Sequence, residues 1–508
     1  MAVADFDLAV IGGGINGTAI ARDAAGRGVS VLLVEQNDLA SGTSSASTKL
    51  IHGGLRYLEH GWFRLVREAL AEREVMLRMA PNIVRPMRFV LPVEVGMRPM
   101  WILRLGLLIY DHLGGKRILP ASRRIDGEMQ DGAVGAPLKR RPIHGFEFSD
   151  CWVDDARLVV LNAVDAAERG AAIRTRTRCI GAERSNIWRL VLEVRGRRDI
   201  ATARALVNAT GPWLQLFAST VLRQSLPIPV RLDKGSHVVV KRLFEHDRGY
   251  VFQTRDARIV FALPYEQEFT LIGTTDRGFS GDPAGVRASS EEVVYLCDVA
   301  NQHFRAAIGP SDVVWSFAGV RALCDDGSKR SQDVSRDYVL ALEEPAGAAP
   351  LLTVYGGKIT TARRLAELVL DRLSDFLKCG PAWTRSSHLP GGEFPHDELE
   401  QLVTRTLASM PFLEEKLVRR LAGAYGTRVQ HVLGQTRSIE GLGPWLGPGL
   451  LAAEVRYLME REWAQTADDV LWRRSKLGLR FSPEERARLG RFMISTIGTG
   501  QKSDPRPA

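Results

Sequence analysis

Three glycines near the start of the chain have the spacing that binds a dinucleotide pyrophosphate. They follow an apolar strand, Phe6 to Ile11, and precede a helix-like stretch, Thr18 to Arg27. In this setting the first glycine permits a tight turn, the second lets the backbone reach the pyrophosphate, and the third lets the helix pack on the strand. The N–H groups at the helix N-terminus would stabilise the phosphates. The predicted turn comprises Gly12, Gly13, Gly14, Asn16 and Gly17.

A carboxylate follows this turn at a distance that suits a ribose. A second apolar strand, Val29 to Val34, ends at Glu35. The motif places an acidic residue about 20 residues beyond the glycines, where it binds ribose hydroxyls and disfavours a 2′-phosphate. Glu35 is therefore predicted to bind the adenosine ribose.

Further glycine turns and a hydroxyl-rich loop predict FAD rather than NAD. The loop Ser41 to Thr48 would bind pyrophosphate and ribityl oxygens, and Gly53-Gly54 would pass close to a flat ring. Two distant turns, at Thr210-Gly211 and Gly356-Gly357, also follow apolar strands. Turns that return to one ligand predict a discontinuous FAD-binding domain. The further residues assigned to the cofactor are Thr43, Ser44, Ser45, Ser47, Lys49, His52, Gly53, Gly54, Thr210, Gly211, Gly356, Gly357, Lys358, Thr360 and Thr361.

Cationic side chains in and beside these turns suit a small anionic substrate. A phosphate monoester needs a cluster of cationic and hydroxyl donors. Isolated arginines are common on protein surfaces, but Arg56 and Lys358 are each tied to a turn assigned to the flavin. The candidate donors are Arg56, Tyr57, Arg321, Arg336 and Lys358.

The composition indicates a globular protein of two or three domains. A chain of 508 residues exceeds what one core usually organises, and 45% hydrophobic with 25% charged residues argues against disorder and against a polytopic membrane protein. The five cysteines are scattered without a C-x-x-C pair, so we expect no disulfide framework and no metal site. The N-terminus lacks the pattern of a secretory signal, which favours the cytoplasm.

A net charge of +9 favours anionic partners. We expect no nucleic-acid binding, because no basic run is interleaved with aromatic residues. The short basic clusters Lys139 to Arg141, Arg363-Arg364 and Arg473-Arg474 are expected on solvated faces.

The most apolar segment, Met100 to Tyr110, is interrupted by Arg104 and is too short to span a bilayer. It predicts a buried core helix. The alternative is a helix in the membrane interface, with Trp101 and Arg104 at the level of the headgroups.

The apolar patterns predict an α/β cofactor domain interrupted by an antiparallel sheet and followed by a helical domain. The predicted antiparallel strands are 238–240, 259–263 and 269–273, and the predicted helices are 362–376, 412–421 with Pro411 at its start, and 453–461. A linker is predicted at 389–392, and the tail 500–508 is expected to be disordered. The predicted boundaries are 1–80, 150–230 and 315–380 for the FAD-binding domain, 81–149 and 231–314 for a substrate-binding cap, and 388–500 for the C-terminal helical domain.

Together these segments resemble the glutathione-reductase-type, Rossmann-like FAD fold of the D-amino-acid-oxidase superfamily. Within it, the chain most closely resembles the aerobic, FAD-dependent glycerol-3-phosphate dehydrogenases, from residue 6 to about residue 475. The matching blocks are Val10–Gly17, Ser44–His60, Glu68–Glu74, Tyr110–Leu113, Ser149–Arg157, Asn208–Trp213, Lys234–His237, Ile272–Asp276, Gly319–Arg321, Arg336–Tyr338, Tyr355–Lys358 and Ala467–Arg474.

The resemblance implies oxidation of sn-glycerol 3-phosphate to dihydroxyacetone phosphate, with hydride transfer to FAD and a membrane quinone as the electron acceptor. It also implies peripheral association with anionic lipid at the inner face of the cell membrane, and a possible homodimer.

The resemblance also assigns roles to the candidate side chains. Arg56, Tyr57 and Arg336 would bind substrate, while Arg321 and Lys358 would stabilise the developing alkoxide. His237, expected where a strand begins, would be the general base. His52 is the rival base and would otherwise tune the flavin.

Three alternatives remain open from the residues. A glycerol-3-phosphate oxidase would use oxygen as the acceptor, and an amino-acid oxidase would bind a carboxylate and an amine. A non-catalytic or RNA-modifying flavoprotein would need a basic, aromatic surface that the sequence lacks.

Overall fold

The computed structural model describes residues 4–93, 98–127, 133–139, 143–254, 258–325 and 336–500. The strands are β1 Phe6–Ile11, β2 Val31–Val34, β3 Leu50–Ile51, β4 Val84–Pro92, β5 Arg123–Gly127, β6 Ile143–Val153, β7 Ala172–Arg174, β8 Thr177–Arg184, β9 Trp188–Val194, β10 Arg197–Asn208, β11 Val230–Lys241, β12 Gly249–Gln253, β13 Ile259–Tyr265, β14 Phe269–Gly273, β15 Arg277–Gly278, β16 Val313–Cys324, β17 Val339–Glu343, β18 Leu351–Tyr355, β19 Trp445–Gly447 and β20 Leu450–Leu451. The helices are α1 Ile15–Gly26, α2 Phe63–Met79, α3 Met100–Leu113, α4 Asp155–Glu168, α5 Leu214–Phe217, α6 Ser290–His303, α7 Ala362–Leu373, α8 Leu399–Ser409, α9 Glu415–Tyr425, α10 Val429–Leu433, α11 Ala452–Arg461 and α12 Pro483–Gly500.

The first sheet brings the three predicted glycine turns to one edge. Strands β18, β10, β1 and β2 are adjacent and parallel, and α1 packs beside α4 and α7 in one apolar core. The turns at Gly12, Gly211 and Gly356 directly follow β1, β10 and β18. Ligands bind beyond the carboxyl ends of parallel strands. The strand order therefore unites segments that lie hundreds of residues apart.

The local predictions for this sheet differ from the structure mainly at element ends. Strand β1 has the predicted bounds, but β2 begins at Val31, and α1 begins at Ile15, inside the predicted turn, so that Gly17 belongs to the helix. Helix α7 ends at Leu373 and is preceded by a 3-10 turn at residues 359–361. Element ends are the least predictable feature of a sequence because several cap arrangements are compatible with one apolar pattern.

The second sheet is large and mostly antiparallel, in the order β15-β11-β14-β13-β12-β4-β6-β3, with β16 paired to β11 and β5 to β6. It contains the three predicted strands within β11, β13 and β14. The prediction that a strand begins at His237 is wrong, because β11 begins at Val230 and pairs with β16 along this length. Residues 315–324, which the predicted boundaries place in the cofactor domain, pair in this second sheet.

The C-terminal helices form a separate apolar core. Helix α11 begins at Ala452, close to the prediction, whereas α9 begins at Glu415 rather than at Phe412. Pro411 instead precedes a turn in which Leu413 donates a backbone hydrogen bond to Met410. The confirmed fold class is therefore an α/β FAD-binding fold joined to a C-terminal helical unit. Residues 501–508 of the predicted disordered tail lie outside the described residues.

In two basic pairs expected on solvated faces, one arginine of each pair is buried instead. Arg363 donates two 2.6 Å hydrogen bonds to Glu72, and Arg474 is 1% exposed and pairs with Asp38 at 2.8 Å. Buried arginines are tolerated when carboxylates pair with them. These partners are distant in sequence, so the local charge pattern could not indicate them. Arg140 and Arg141 lie outside the described residues.

Helix α3 has one buried face and one exposed face, although the residues on both faces are mostly apolar. Leu103, Leu107 and Tyr110 are buried, but Trp101 is 67% exposed and Leu108 is 55% exposed. The prediction of a buried core helix is therefore wrong for half of its surface. Among the described residues, no helix combines the length and apolar character needed to span a bilayer.

Candidate functional site

One cavity of about 510 Å³ runs from the glycine turn after β1 to the second sheet. Most of the predicted site residues line it, including candidates from all three glycine turns. The predicted residues in its wall are Gly12, Gly14, Asn16, Glu35, Thr43, Ser44, Ser47, His52, Gly54, Arg56, Tyr57, Thr210, Gly211, His237, Arg321, Arg336, Gly356, Gly357, Lys358 and Thr360. The predicted residues outside the wall are Gly13, Gly17, Ser45, Lys49, Gly53 and Thr361.

The glycine turn leaves no space for side chains. Gly12 has φ +118°, and a Cβ there would lie 2.4 Å from the Ala209 carbonyl oxygen. A Cβ on Gly17 would lie 1.9 Å from the Gly12 carbonyl oxygen. Since α1 begins immediately beyond, its free N–H groups face the same end of the cavity.

Glu35 holds this turn against the loop that follows β2. Its two carboxylate oxygens accept backbone hydrogen bonds from Gly13 and Asn37, both at 2.7 Å. Burial raises the pKa of Glu35, although these two hydrogen bonds oppose the shift. The carboxylate thus shapes the end of the cavity that lies between the first glycine turn and residues 35–37, and it lines the wall there. This end is called the adenosine end below.

The hydroxyl-rich loop is fixed by buried contacts behind the cavity. Ser44 accepts a hydrogen bond from the Ile15 N–H at 2.9 Å, which ties the loop to the first turn of α1. Lys49 is fully buried and pairs with Asp155 at 2.6 Å. Ser47 donates to the same carboxylate at 2.7 Å. Lys49 therefore anchors the loop from behind.

Hydrogen bonds also join the first glycine turn to the last. The Asn16 side-chain amide donates to the Gly356 carbonyl at 3.1 Å, and the His52 N–H donates to Thr360 at 3.4 Å. Gly356 and Gly357 have φ values of +66° and +96°, which favour glycine at both positions. The three distant turns thus form one connected wall.

The opposite end of the cavity concentrates positive charge. Asp276 accepts hydrogen bonds from Arg321 at 3.0 Å and from Arg336 at 2.8 Å. The Lys358 ammonium lies 3.8 Å from the centre of the Tyr57 ring. Arg56, next to Tyr57 in the sequence, also lines the cavity. A cluster of cations such as Arg321, Arg336 and Lys358 would attract a dianion.

Burial weakens the ionisation of two of these cations. It lowers the pKa of Lys358, an effect that Tyr57 opposes, and it lowers the pKa of Arg321, where the charge of Arg336 adds to the shift. Burial would raise the pKa of Tyr57, but the charges of Lys358 and the arginines lower it overall. An anionic ligand would relieve this repulsion between like charges.

Two neutral histidines stand beside the cations. His237 Nε2 lies 2.9 Å from the Thr48 hydroxyl, and its ring stacks on Phe317 at 4.9 Å. Burial, followed by the charges of Lys49 and Arg321, holds the pKa of His237 well below its usual value. Burial and the charge of Lys358 lower the pKa of His52 to about 4. Both rings are therefore neutral at pH 7, so each has a nitrogen lone pair, although the low pKa makes each ring a weak base in the absence of an anion.

Sequence reasoning missed two residues of this site. Asp276 bridges two arginines, and Thr48 touches His237, yet neither was a candidate. Thr48 stands in the hydroxyl-rich loop, which was a usable signal. Asp276 ends the Ile272–Asp276 block, but its partners lie 45 and 60 residues away, so only the tertiary structure reveals its role.

Comparison with known proteins agrees with this geometry. The family described as FAD dependent oxidoreductase matches residues 7–363, and the family described as the C-terminal domain of alpha-glycerophosphate oxidase matches residues 382–489. Both matches follow the division between the two sheets and the C-terminal helices.

Several named proteins are similar over nearly the whole chain. The glycerol-3-phosphate dehydrogenase of Pseudomonas aeruginosa is 53% identical, covering 96% of this chain and 95% of the relative. The D-erythritol 1-phosphate dehydrogenase of Brucella abortus is 48% identical, covering 95% and 96%. The crystal structure of the glycerol-3-phosphate dehydrogenase from Bacillus halodurans complexed with FAD superposes with a TM-score of 0.72 at 25% identity, covering 99% and 96%.

Proposed function

This chain belongs to the FAD-dependent glycerol-3-phosphate dehydrogenases, and on that premise we propose that it oxidises sn-glycerol 3-phosphate to dihydroxyacetone phosphate and passes the electrons to a membrane quinone. The observation that carries the proposal is the grouping of Arg321, Arg336 and Lys358 at one end of the cavity, beside a neutral histidine; Arg56 also lines the cavity. The charge suits a phosphate dianion, and the histidine suits an alcohol that must lose a proton.

The residues present fit FAD. The clash that a Cβ on Gly12 would create shows a turn shaped for close backbone approach, and the buried Asn16 Oδ1 has no hydrogen-bond partner among the described residues. The turns at Gly12–Gly14, Thr210-Gly211 and Gly356-Gly357 would hold the cofactor, with Glu35 at the ribose. FAD, when bound, supplies a hydride acceptor.

The cations would bind and orient the phosphate. Asp276 accepts one hydrogen bond from Arg321 and one from Arg336, and these bonds would orient the two guanidinium groups for an anion. Lys358, over the Tyr57 ring, adds a charge near the turn assigned to the flavin. Fixing the phosphate fixes the carbon that must be oxidised.

His237 would take the hydroxyl proton. The Thr48 hydroxyl and the Phe317 ring hold its orientation, and its depressed pKa keeps it neutral before substrate arrives. Arg321 and Lys358 would stabilise the alkoxide that develops as the proton leaves. A dianionic substrate would also raise the basicity of His237 by offsetting the cations around it.

Helix α3 supports the membrane part of the proposal. Leu103 lines the cavity from the inner face of the helix, while Trp101, Leu105 and Leu108 are at least half exposed on its outer face. An exposed apolar face with Arg104 in the same helix suits the interface of an anionic bilayer. We expect flotation with anionic vesicles to be reduced in the Leu105→Ser/Leu108→Ser variant.

A second substrate is favoured by one observation. The relative named D-erythritol 1-phosphate dehydrogenase is 48% identical, within the 47–53% range of the relatives from Pseudomonas aeruginosa, Pseudomonas tolaasii and Escherichia coli that are named glycerol-3-phosphate dehydrogenases. The same phosphate end and base would serve a four-carbon polyol phosphate. The choice between the two therefore depends on the space beside the phosphate, not on the charges.

One anaerobic experiment tests the proposal. The holoenzyme is mixed with sn-glycerol 3-phosphate, D-erythritol 1-phosphate or glycerol, and bleaching of the flavin band is followed. We expect the fastest bleaching with sn-glycerol 3-phosphate. Faster bleaching with D-erythritol 1-phosphate would mean that this ester, not sn-glycerol 3-phosphate, is the substrate. Addition of a quinone analogue or of oxygen then identifies the acceptor, and stoichiometric peroxide would favour the oxidase.

A further inference from the structure

A buried carboxylate next to the adenosine end is held entirely by the C-terminal unit. Asp38 lies three residues beyond Glu35 and is fully buried. Arg474 donates to both of its oxygens at 2.8 Å, and Arg473 donates to one of them at 2.5 Å. These arginines lie more than 430 residues after Asp38 in the sequence, in the π-helical segment Asp469–Arg474.

A second buried carboxylate extends the network to the other side of the same loop. Asp469 accepts two hydrogen bonds from Arg176, at 2.7 and 2.9 Å, and also pairs with Arg473. The Arg176 N–H in turn donates to the Asn37 carbonyl at 2.8 Å. Burial opposes ionisation of Asp469, but hydrogen bonds and the two arginines lower its pKa to about 2.

The loop held in this way forms the wall of the adenosine end. Gln36 and Asn37 line the cavity, Glu35 binds the Gly13 N–H, and the Ala40 N–H donates to the Gly13 carbonyl at 3.1 Å. None of Asp38, Arg176, Asp469, Arg473 and Arg474 is part of the wall. Their effect on a ligand would therefore pass through the loop.

We infer that the Asp38–Arg473–Arg474 cluster is a clamp by which the C-terminal unit controls how tightly FAD is retained. The inference rests on FAD occupying this cavity and is independent of the substrate and of the electron acceptor. A bidentate arginine fixes a carboxylate in both position and plane. Loss of this contact would leave Asp38 without its bidentate partner and would allow residues 35–40 to move away from the glycine turn.

The test measures FAD release from the holoenzyme rather than turnover. After dilution, the rise in free flavin fluorescence gives the dissociation rate. We expect Arg474→Gln to release FAD about 10- to 100-fold faster, and Arg474→Lys, which keeps the charge without the fork, to give an intermediate rate. In a double-mutant cycle with Asp38→Asn the effects should be non-additive.

The matched control is Glu168→Gln. It removes a pair with Arg428 at 2.7 Å that also joins the α/β unit to the C-terminal unit, and neither residue lines the cavity. FAD release from this variant should equal that of the unaltered protein. Equal rates of FAD release from Arg474→Gln and Glu168→Gln would overturn the inference. The inference would also be overturned if Arg474→Gln lowered the Tm of the FAD-free and FAD-bound proteins equally and left the release rate unchanged.

A milder variant covers the case in which Arg474→Gln does not fold. The Arg176 side chain is 30% exposed, so Arg176→Gln should be tolerated while it removes the two guanidinium hydrogen bonds to Asp469; the backbone hydrogen bond to Asn37 is retained. We expect FAD release to become about 3- to 10-fold faster. An unchanged rate in this variant would likewise overturn the clamp.

Discussion

The two ends of the cavity are built to receive phosphate groups by different means. The adenosine end offers backbone N–H groups at the start of α1. Arg176, Arg473 and Arg474 lie behind its wall, where they pair with Asp38 and Asp469, although Arg178 lines the cavity. The opposite end, where Arg321, Arg336 and Lys358 lie and the reaction would take place, is called the reacting end; its cations line the wall itself. Backbone dipoles bind a permanent ligand without titrating, whereas buried side-chain charges repel one another until a substrate arrives.

This difference explains how each end can fail. The adenosine end depends on close approach of the backbone, so it is sensitive to added volume. The reacting end depends on charge and protonation, so it is sensitive to changes that conserve volume. Variants at one end should therefore alter FAD content, and variants at the other should alter turnover with FAD in place.

The largest effect is expected from Gly17→Val. The new Cβ would lie 1.9 Å from the Gly12 carbonyl oxygen, so α1 must move away from β1 and its N-terminus with it. We expect protein purified without a flavin absorbance band and an FAD affinity lower by at least about 100-fold, since a clash with backbone cannot be relieved by a rotamer change. Gly490→Ala, where a Cβ would meet no atom within 4 Å, is the control. A yellow Gly17→Val protein would contradict this account.

His237→Gln tests the opposite end. The amide can retain the contact with Thr48 but cannot act as a base, so anaerobic flavin reduction should slow by about 10²- to 10⁴-fold. FAD content should stay at the level of the unaltered protein. Flavin reduction should be slower in the companion variant His52→Gln than in His237→Gln only if His52, and not His237, is the base.

Arg321→Met separates charge from proton transfer. Asp276 would keep its partner Arg336, so the variant does not leave a carboxylate without a cation. Loss of a charge-assisted hydrogen bond to the phosphate should lower kcat/KM for sn-glycerol 3-phosphate by roughly 10- to 150-fold. Oxidation of glycerol, which has no phosphate, should change far less. Equal losses for both substrates would remove the phosphate-binding role.

The smallest effect concerns the stability of the FAD-free protein in acid. A histidine in the unfolded chain takes up a proton near pH 6.5, whereas the folded protein keeps His52 neutral down to a pKa of about 4, because of burial and the charge of Lys358. The unfolded state thus binds more protons, and the free energy of unfolding falls as the pH drops through this window, by about 1.4 kcal/mol per pKa unit.

Urea unfolding of the FAD-free protein between pH 4 and 7 measures this dependence. His52→Gln should flatten it, while His144→Gln, at a side chain that is 57% exposed, should leave it unchanged. The same slope in all three proteins would mean that His52 does not contribute.

Local sequence predicted the elements that carry the first glycine turn. The glycine spacing, the flanking apolar strands and Glu35 all lie within a single strand–turn–helix–strand unit, so short-range geometry predicts that they meet. The later glycine turns were also found from local patterns, as were the strands before them and the three antiparallel strands within β11, β13 and β14, apart from their ends. The cationic residues and His237 were assigned through the family resemblance.

Only the tertiary structure decided what surrounds those residues. The place of His237 within β11, the Asp276 bridge and the contact of Arg474 with Asp38 all depend on strands and helices that meet from distant parts of the chain. The sequence of each segment specifies its apolar face and its turns. The partner of a buried charge is set by which segments pack together, because any carboxylate at the right depth would satisfy an arginine equally well.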